Sequence, residues 1–134
     1  MKRLGACLLL AGMAGALPVD PARALDLNSF RAQHHLPPLR ASAQLAGAAY
    51  GHAHDMARRH HLDHNGFRAR LSPLASTAAE NVLVGCADEA CAIRAWARSP
   101  HHRANMLMRG VSYYGLASAE ADNGQRYWVL ELGN

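Results

Sequence analysis

Between Ser42 and His60 the apolar or small positions return at helical spacing: Leu45, Ala49, His52 with Ala53, Met56 and His60, while Arg58 and Arg59 point elsewhere. That rhythm, with Ser42 placed to cap it, predicts a long amphipathic helix. A shorter helix precedes it over Leu27–Leu36, with Asn28 or Ser29 as its cap and Pro37-Pro38 as its stop. Asn65-Gly66 ends the long helix or the turn just beyond it. The small and polar stretch 66–79, around Pro73, predicts a loop with one helical turn. The pattern then changes. Asn81 to Gly85 is short and β-branched, which fits a buried strand. Asp88 caps a helix through Ala97, with Ile93, Trp96 and Ala97 on one side. Pro100 breaks it, and His102 to Met108 form another short helix. Val111 to Ala121 and Gln125 to Leu132 are strand-like runs around Asp122-Asn123-Gly124, a strong hairpin signal. Helices first, a hairpin last and one strand between predict an α+β domain, its small antiparallel sheet covered by helices.

Composition narrows this picture. The chain has 134 residues, of which 50% are hydrophobic and 18% charged, enough for one domain with one core. It is not a disordered polar tail, and no fixed period marks a solenoid. Residues 1–24 read as an address: a basic Met1-Lys2-Arg3, an apolar run from Leu4 to Leu17, and Ala22-Arg23-Ala24 as the exit. These are the parts of a secretory signal peptide, cut after Ala24. Leu4-Gly5-Ala6-Cys7 looks like a lipobox, but there the cysteine should follow the hydrophobic stretch, and here it precedes it. Cleavage after Ala24 leaves an exported domain over residues 25–134, expected to be a monomer, secreted or periplasmic. No other apolar run approaches the ~20 residues needed to span a bilayer.

That domain carries 11 basic and 9 acidic residues, a net of +2, and every basic one is an arginine. Charge so thin and so spread does not point to nucleic acid. Cys86 and Cys91 are its two cysteines, an even pair that in an exported protein predicts a disulfide around a tight loop, free thiols being the other reading.

All 9 histidines follow the leader: His34-His35, His52-x-His54, His60-His61-x-x-His64 and His101-His102. Imidazole is a common transition-metal ligand and a proton carrier near neutrality. His60 and His64 stand four apart, which on one helix would bring them together. The zinc-protease motif H-E-x-x-H is absent. Alone, a histidine count is a weak signal, because surface and capping positions are the commoner use.

Five stretches in fixed order sharpen it. Asn28-Ser29-Phe30-Arg31 leads to Leu36-Pro37-Pro38-Leu39. Leu45 to Met56 follows, then Leu62-Asp63-His64-Asn65-Gly66, then Ala79-Glu80-Asn81-Val82. Last comes Trp96-x-x-Ser99-Pro100-x-His102-Arg103-x-Asn105-Met106-Leu107, with Gly115 and Tyr127-Trp128 in the final hairpin. Together they resemble the bacterial form of the CAP superfamily: the cysteine-rich secretory, antigen 5 and pathogenesis-related 1 proteins. The resemblance implies a three-layer α-β-α sandwich with a cleft of two histidines and two glutamates proposed to hold a divalent cation, often zinc. It maps His64, Glu80 and His102 onto that set as metal ligands and as candidates for any catalysis. The second glutamate would stand where this chain has Ser99, and His101 takes the usual glycine position. Asn81, Ser99, His101, Arg103 and Asn105 are the implied supports of the cleft.

Two imidazoles and one carboxylate suffice for zinc with an open position. One carboxylate fewer predicts weak binding that fades as the histidines protonate below roughly pH 6.5. A hydrogen-bonded polar cluster without metal is the alternative. The implied function is a secreted module that binds a lipid, an envelope component or a protein. The competing reading is a metal-assisted, peptidase-like hydrolase with Glu80 as base.

Overall fold

Ser42 accepts a hydrogen bond from the Leu45 N–H at 3.2 Å, and the helix it opens is the longest among the described residues. In the computed structural model, which describes residues 25–134, this helix (α2) runs Ala43–Arg59. The signal peptide over 1–24, its cut after Ala24 and Cys7 lie outside the described residues. Leu45, Ala49, His52, Ala53, Met56 and Ala57 form the buried stripe of α2. The helix stops at His60, whose left-handed backbone (φ 52°) sends its N–H back to Ala57 O. His60 and His64 therefore share no helix face. His60 turns instead to Asp122, with 2.9 Å between Nε2 and Oδ1.

A helix over Leu27–Gln33 (α1) precedes it and ends earlier than expected. Its cap is Asp26, which accepts from Ser29 N at 2.7 Å, rather than Asn28 or Ser29. Asn28 is used otherwise: its amide holds both Leu39 N, at 2.8 Å, and Leu39 O, at 3.0 Å. The 66–79 stretch contains one short helix, α3 (Phe67–Leu71). Next come β2 (Ala78–Val84), α4 (Glu89–Ala97) capped by Asp88, and α5 (Pro100–Met106). Pro100 ends one helix and opens the next, since its missing N–H costs nothing in a first turn. The strands β3 (Tyr113–Glu120) and β4 (Arg126–Gly133) close the chain as the expected hairpin.

The sheet is mixed rather than purely antiparallel. Its order is β1-β3-β4-β2, where β1 (Arg40–Ala41) is a two-residue strand absent from the sequence reading. β1 lies parallel to β3, while β3–β4 and β2–β4 are antiparallel.

Alternation along β4 sorts the layers. Trp128, Leu130 and Leu132 pack with Leu27 and Phe30 of α1, Ile93 and Trp96 of α4 and Met106 of α5. Tyr127 and Val129 pack with Ala49, Ala53 and Met56 of α2. Helix α2 lies so close to β3 that a Cβ on Gly115 would fall 2.1 Å from Ala46 N.

The outer carbonyls of edge strand β2 are covered by side chains, Trp96 Nε1 on Val82 O at 3.2 Å and Asn105 Nδ2 on Glu80 O at 3.3 Å. Arg31, only 1% exposed, donates to Pro37 O, Met106 O and Met108 O and so pins α1 to the exit of α5. Cys86 and Cys91 form a disulfide across the loop between β2 and α4. No described helix is long and apolar enough to cross a membrane.

Candidate functional site

The register of β2 on β4 places Glu80 directly opposite Glu131, two carboxyls on adjacent strands and on the face that α2 covers. Both are buried, Glu131 completely. Two like charges so close cannot both be carried in an apolar setting. Burial, and then the Glu80 carboxylate beside it, push the Glu131 carboxyl up to about 9. Glu131 is thus a neutral acid at neutral pH. Its Oε2 has no hydrogen-bond partner among the described groups. For Glu80, burial opposes ionisation, but hydrogen bonds from Glu131 and His64 and the charge of Arg70 outweigh it and hold the carboxyl below its ordinary range.

Three further side chains converge on the Glu80 carboxylate. His64, in the loop between α2 and α3, places Nδ1 at 2.7 Å from Oε1. An ionised carboxylate only accepts, so Nδ1 carries the proton and Nε2 is left as the free ring nitrogen on a side chain 54% exposed. Arg70 of α3 donates from Nη2 to Oε2 of the same carboxylate, and from Nη1 to Asn65 O. Its Nε lies 3.5 Å from Glu131 Oε1. His52 of α2 approaches Oε1 at 3.9 Å, but its hydrogen bond, 2.8 Å, goes to Asp63 O. Asp63 in turn takes Arg59 at 2.9 Å and the Asn65 N–H at 3.0 Å. Two side chains of α2 therefore hold the loop at Asp63, the residue before His64.

Of the residues expected as ligands, His64 and Glu80 are joined directly. His102 is not joined to them by its ring: its carbonyl accepts from Asn81 Nδ2 at 2.9 Å, and its imidazole makes no hydrogen bond among the described residues. Burial, with His64 and His101 nearby, holds the His102 imidazole below its ordinary pKa.

The fully buried Asn81 also accepts from Asn105 Nδ2 at 2.9 Å, so this amide pair fixes α5 against β2. Arg103 faces the other way, its guanidinium 5.7 Å from the Phe30 ring centroid. Ser99 is the residue before α5 and makes no capping bond through its side chain. His101 is exposed. Position 99 carries no carboxyl, and the one beside Glu80 is Glu131 of β4.

Arg70, Glu131 and His52 were not singled out as site residues in the sequence. For Glu131 a signal existed: one charge inside the apolar run Trp128-Val129-Leu130-Glu131-Leu132. Beside the cluster lies a hollow of ≈ 290 Å³, lined by His64, Phe67, Ala78, Ala79, Glu80, Asn105 and Met108. It is a polar edge against an apolar wall.

The CAP family model, described as the cysteine-rich secretory protein family, matches residues 26–132. The chain belongs to this family. Its fold is similar to an extracellular protein containing an SCP domain from Bacillus anthracis, with a TM-score of 0.69 and 26% identity over 81% of this chain and 37% of that one. A cysteine-rich secretory protein from Staphylococcus aureus gives 0.64 at 21% identity, covering 81% and 36%. An outer surface protein from Borrelia burgdorferi gives 0.73 at 16%, covering 81% and 86%. The chain thus spans little more than a third of the Bacillus and Staphylococcus proteins. No curated protein matches the sequence.

Glu80, as placed, does not fit the ligand role that membership of the CAP family implies. Both oxygens of Glu80 are held, one by His64 Nδ1–H and the other by the Arg70 guanidinium. Among the described residues no three His, Cys, Asp or Glu side chains are grouped so that they could hold a metal ion. What the arrangement offers is one exposed imidazole nitrogen, oriented by a buried carboxylate, at the mouth of a small hollow.

Proposed function

We propose that this CAP domain is an exported binding module that takes one polar group of an envelope component through the hollow at His64. The carrying observation is the His64 imidazole, anchored by Nδ1 to Glu80 with Nε2 free, beside Phe67 and Met108. The free Nε2 can hydrogen-bond a polar group, while the apolar side supplies contact area. A volume of ≈ 290 Å³ suits one side chain or head group of a lipid, glycan or protein, not a whole large ligand. Export is supported by the leader-like residues 1–24, by the Cys86–Cys91 disulfide and by the likeness to an extracellular Bacillus anthracis protein. The hydrolytic alternative asks Glu80 to act as base with a carboxylate that Arg70 and His64 already occupy.

The test is to incubate the domain over residues 25–134 with envelope lipids and solubilised envelope glycans, then weigh it by native mass spectrometry. A retained adduct that His64→Ala loses is the expected result. An adduct unaffected by His64→Ala, or none at all, counts against the reading.

A further inference from the structure

Arg70 reaches Glu80 from α3 and touches Glu131 on the next strand, with its side chain only 18% exposed. A surface ion pair would be worth little, but here the guanidinium is the counter-charge of a buried carboxylate. Arginine cannot shed its proton, and its planar fork can engage two carboxyls and a carbonyl at once. The third link, to Asn65 O, ties it to the loop that carries His64.

We propose that Arg70 is the fixed internal cation of this CAP cleft and keeps Glu80 from ligating a divalent metal. A metal ligated by Glu80 would have to share an oxygen with the guanidinium or the His64 N–H, or displace one of them. With Arg70 in place, a dication would also add its charge to a pair already balanced. The arginine therefore takes Glu80 out of any ligand set while keeping the carboxylate that orients His64. This assignment stands whether or not the hollow binds a ligand.

The experiment is zinc titration against a chromogenic chelator at neutral pH, on wild type, Arg70→Met and Arg70→Lys, each with and without Glu80→Gln. Surface histidines also take zinc, so the readout is only the binding that Glu80→Gln abolishes. Wild type should show no such component, and Arg70→Met should gain one zinc per chain, about tenfold or more above background. Arg70→Lys keeps the charge but loses the fork, and should gain a weaker component; if Arg70→Met does not fold, this variant decides. Glu80-dependent zinc binding in wild type would overturn the proposal. So would its absence from every folded Arg70 variant, because then something other than the arginine keeps metal out.

Discussion

Replacing Glu131 with glutamine should stabilise the protein, although the side chain is completely buried and faces an arginine. The carboxyl is raised from 4.5 to about 9 in the fold. Between those values the native state holds a proton that the unfolded chain has released. Stability is therefore complete below the ordinary carboxyl range and falls as pH rises towards 9, by about 1.4 kcal/mol per pH unit. At pH 7 the accumulated loss is about 3 kcal/mol. Glutamine keeps the shape, can still donate to Glu80 and has no proton to lose. Glu131→Gln should thus gain up to about 3 kcal/mol at pH 7, more at pH 8, and nothing near pH 4.5. Urea unfolding of both proteins at steps from about pH 5 to about pH 9 reads this out, and titrations common to the two cancel in the difference. Parallel stability curves would mean that Glu131 is ionised in the fold, and the argument for a shared proton would fail.

Other outcomes follow from the same geometry. Glu80→Gln removes the counter-charge of Arg70 and should lower stability by about 3 kcal/mol at neutral pH. Because the Glu80 pKa is lowered, that cost should shrink as pH falls below the ordinary carboxyl range, which urea midpoints at low pH will show. Gly115→Ala drives a methyl into the α2 backbone, 2.1 Å from Ala46 N, and should cost about 3 kcal/mol or prevent folding, read by thermal denaturation. Arg31→Met leaves the carbonyls of Pro37, Met106 and Met108 without their donor, an expected loss of about 3 kcal/mol or more in chemical denaturation. Reducing Cys86–Cys91 should cost about 2 kcal/mol, the modest entropy of a tight loop, seen as a lower melting temperature with reductant.

What could be read in the sequence was local. Ser42 and the apolar spacing after it announce α2, Asp122-Asn123-Gly124 announces the hairpin, and Pro100 marks the boundary between α4 and α5. The pairing of β1 with β3 is not local: two residues, Arg40 and Ala41, carry no periodicity. The site divides in the same way. His64 and Glu80 are contained in short motifs, and the structure joins them at 2.7 Å. Glu131 meets Glu80 only through the register of two strands 51 positions apart in the chain. Arg70 sits in the one helical turn expected within 66–79, but its role depends on a reach across to β2 and β4 that no local pattern shows. Ser99 holds the place of the second glutamate by its spacing from Trp96, and that spacing says nothing of Glu131, which strand register puts beside Glu80.

The most direct test is a crystal structure of the protein soaked in zinc, with anomalous data collected at the zinc edge. The account predicts the Arg70 guanidinium between Glu80 and Glu131 and no anomalous peak within bonding distance of Glu80. A peak on the Glu80 carboxylate in the wild-type protein, with Arg70 swung out to solvent, would contradict it.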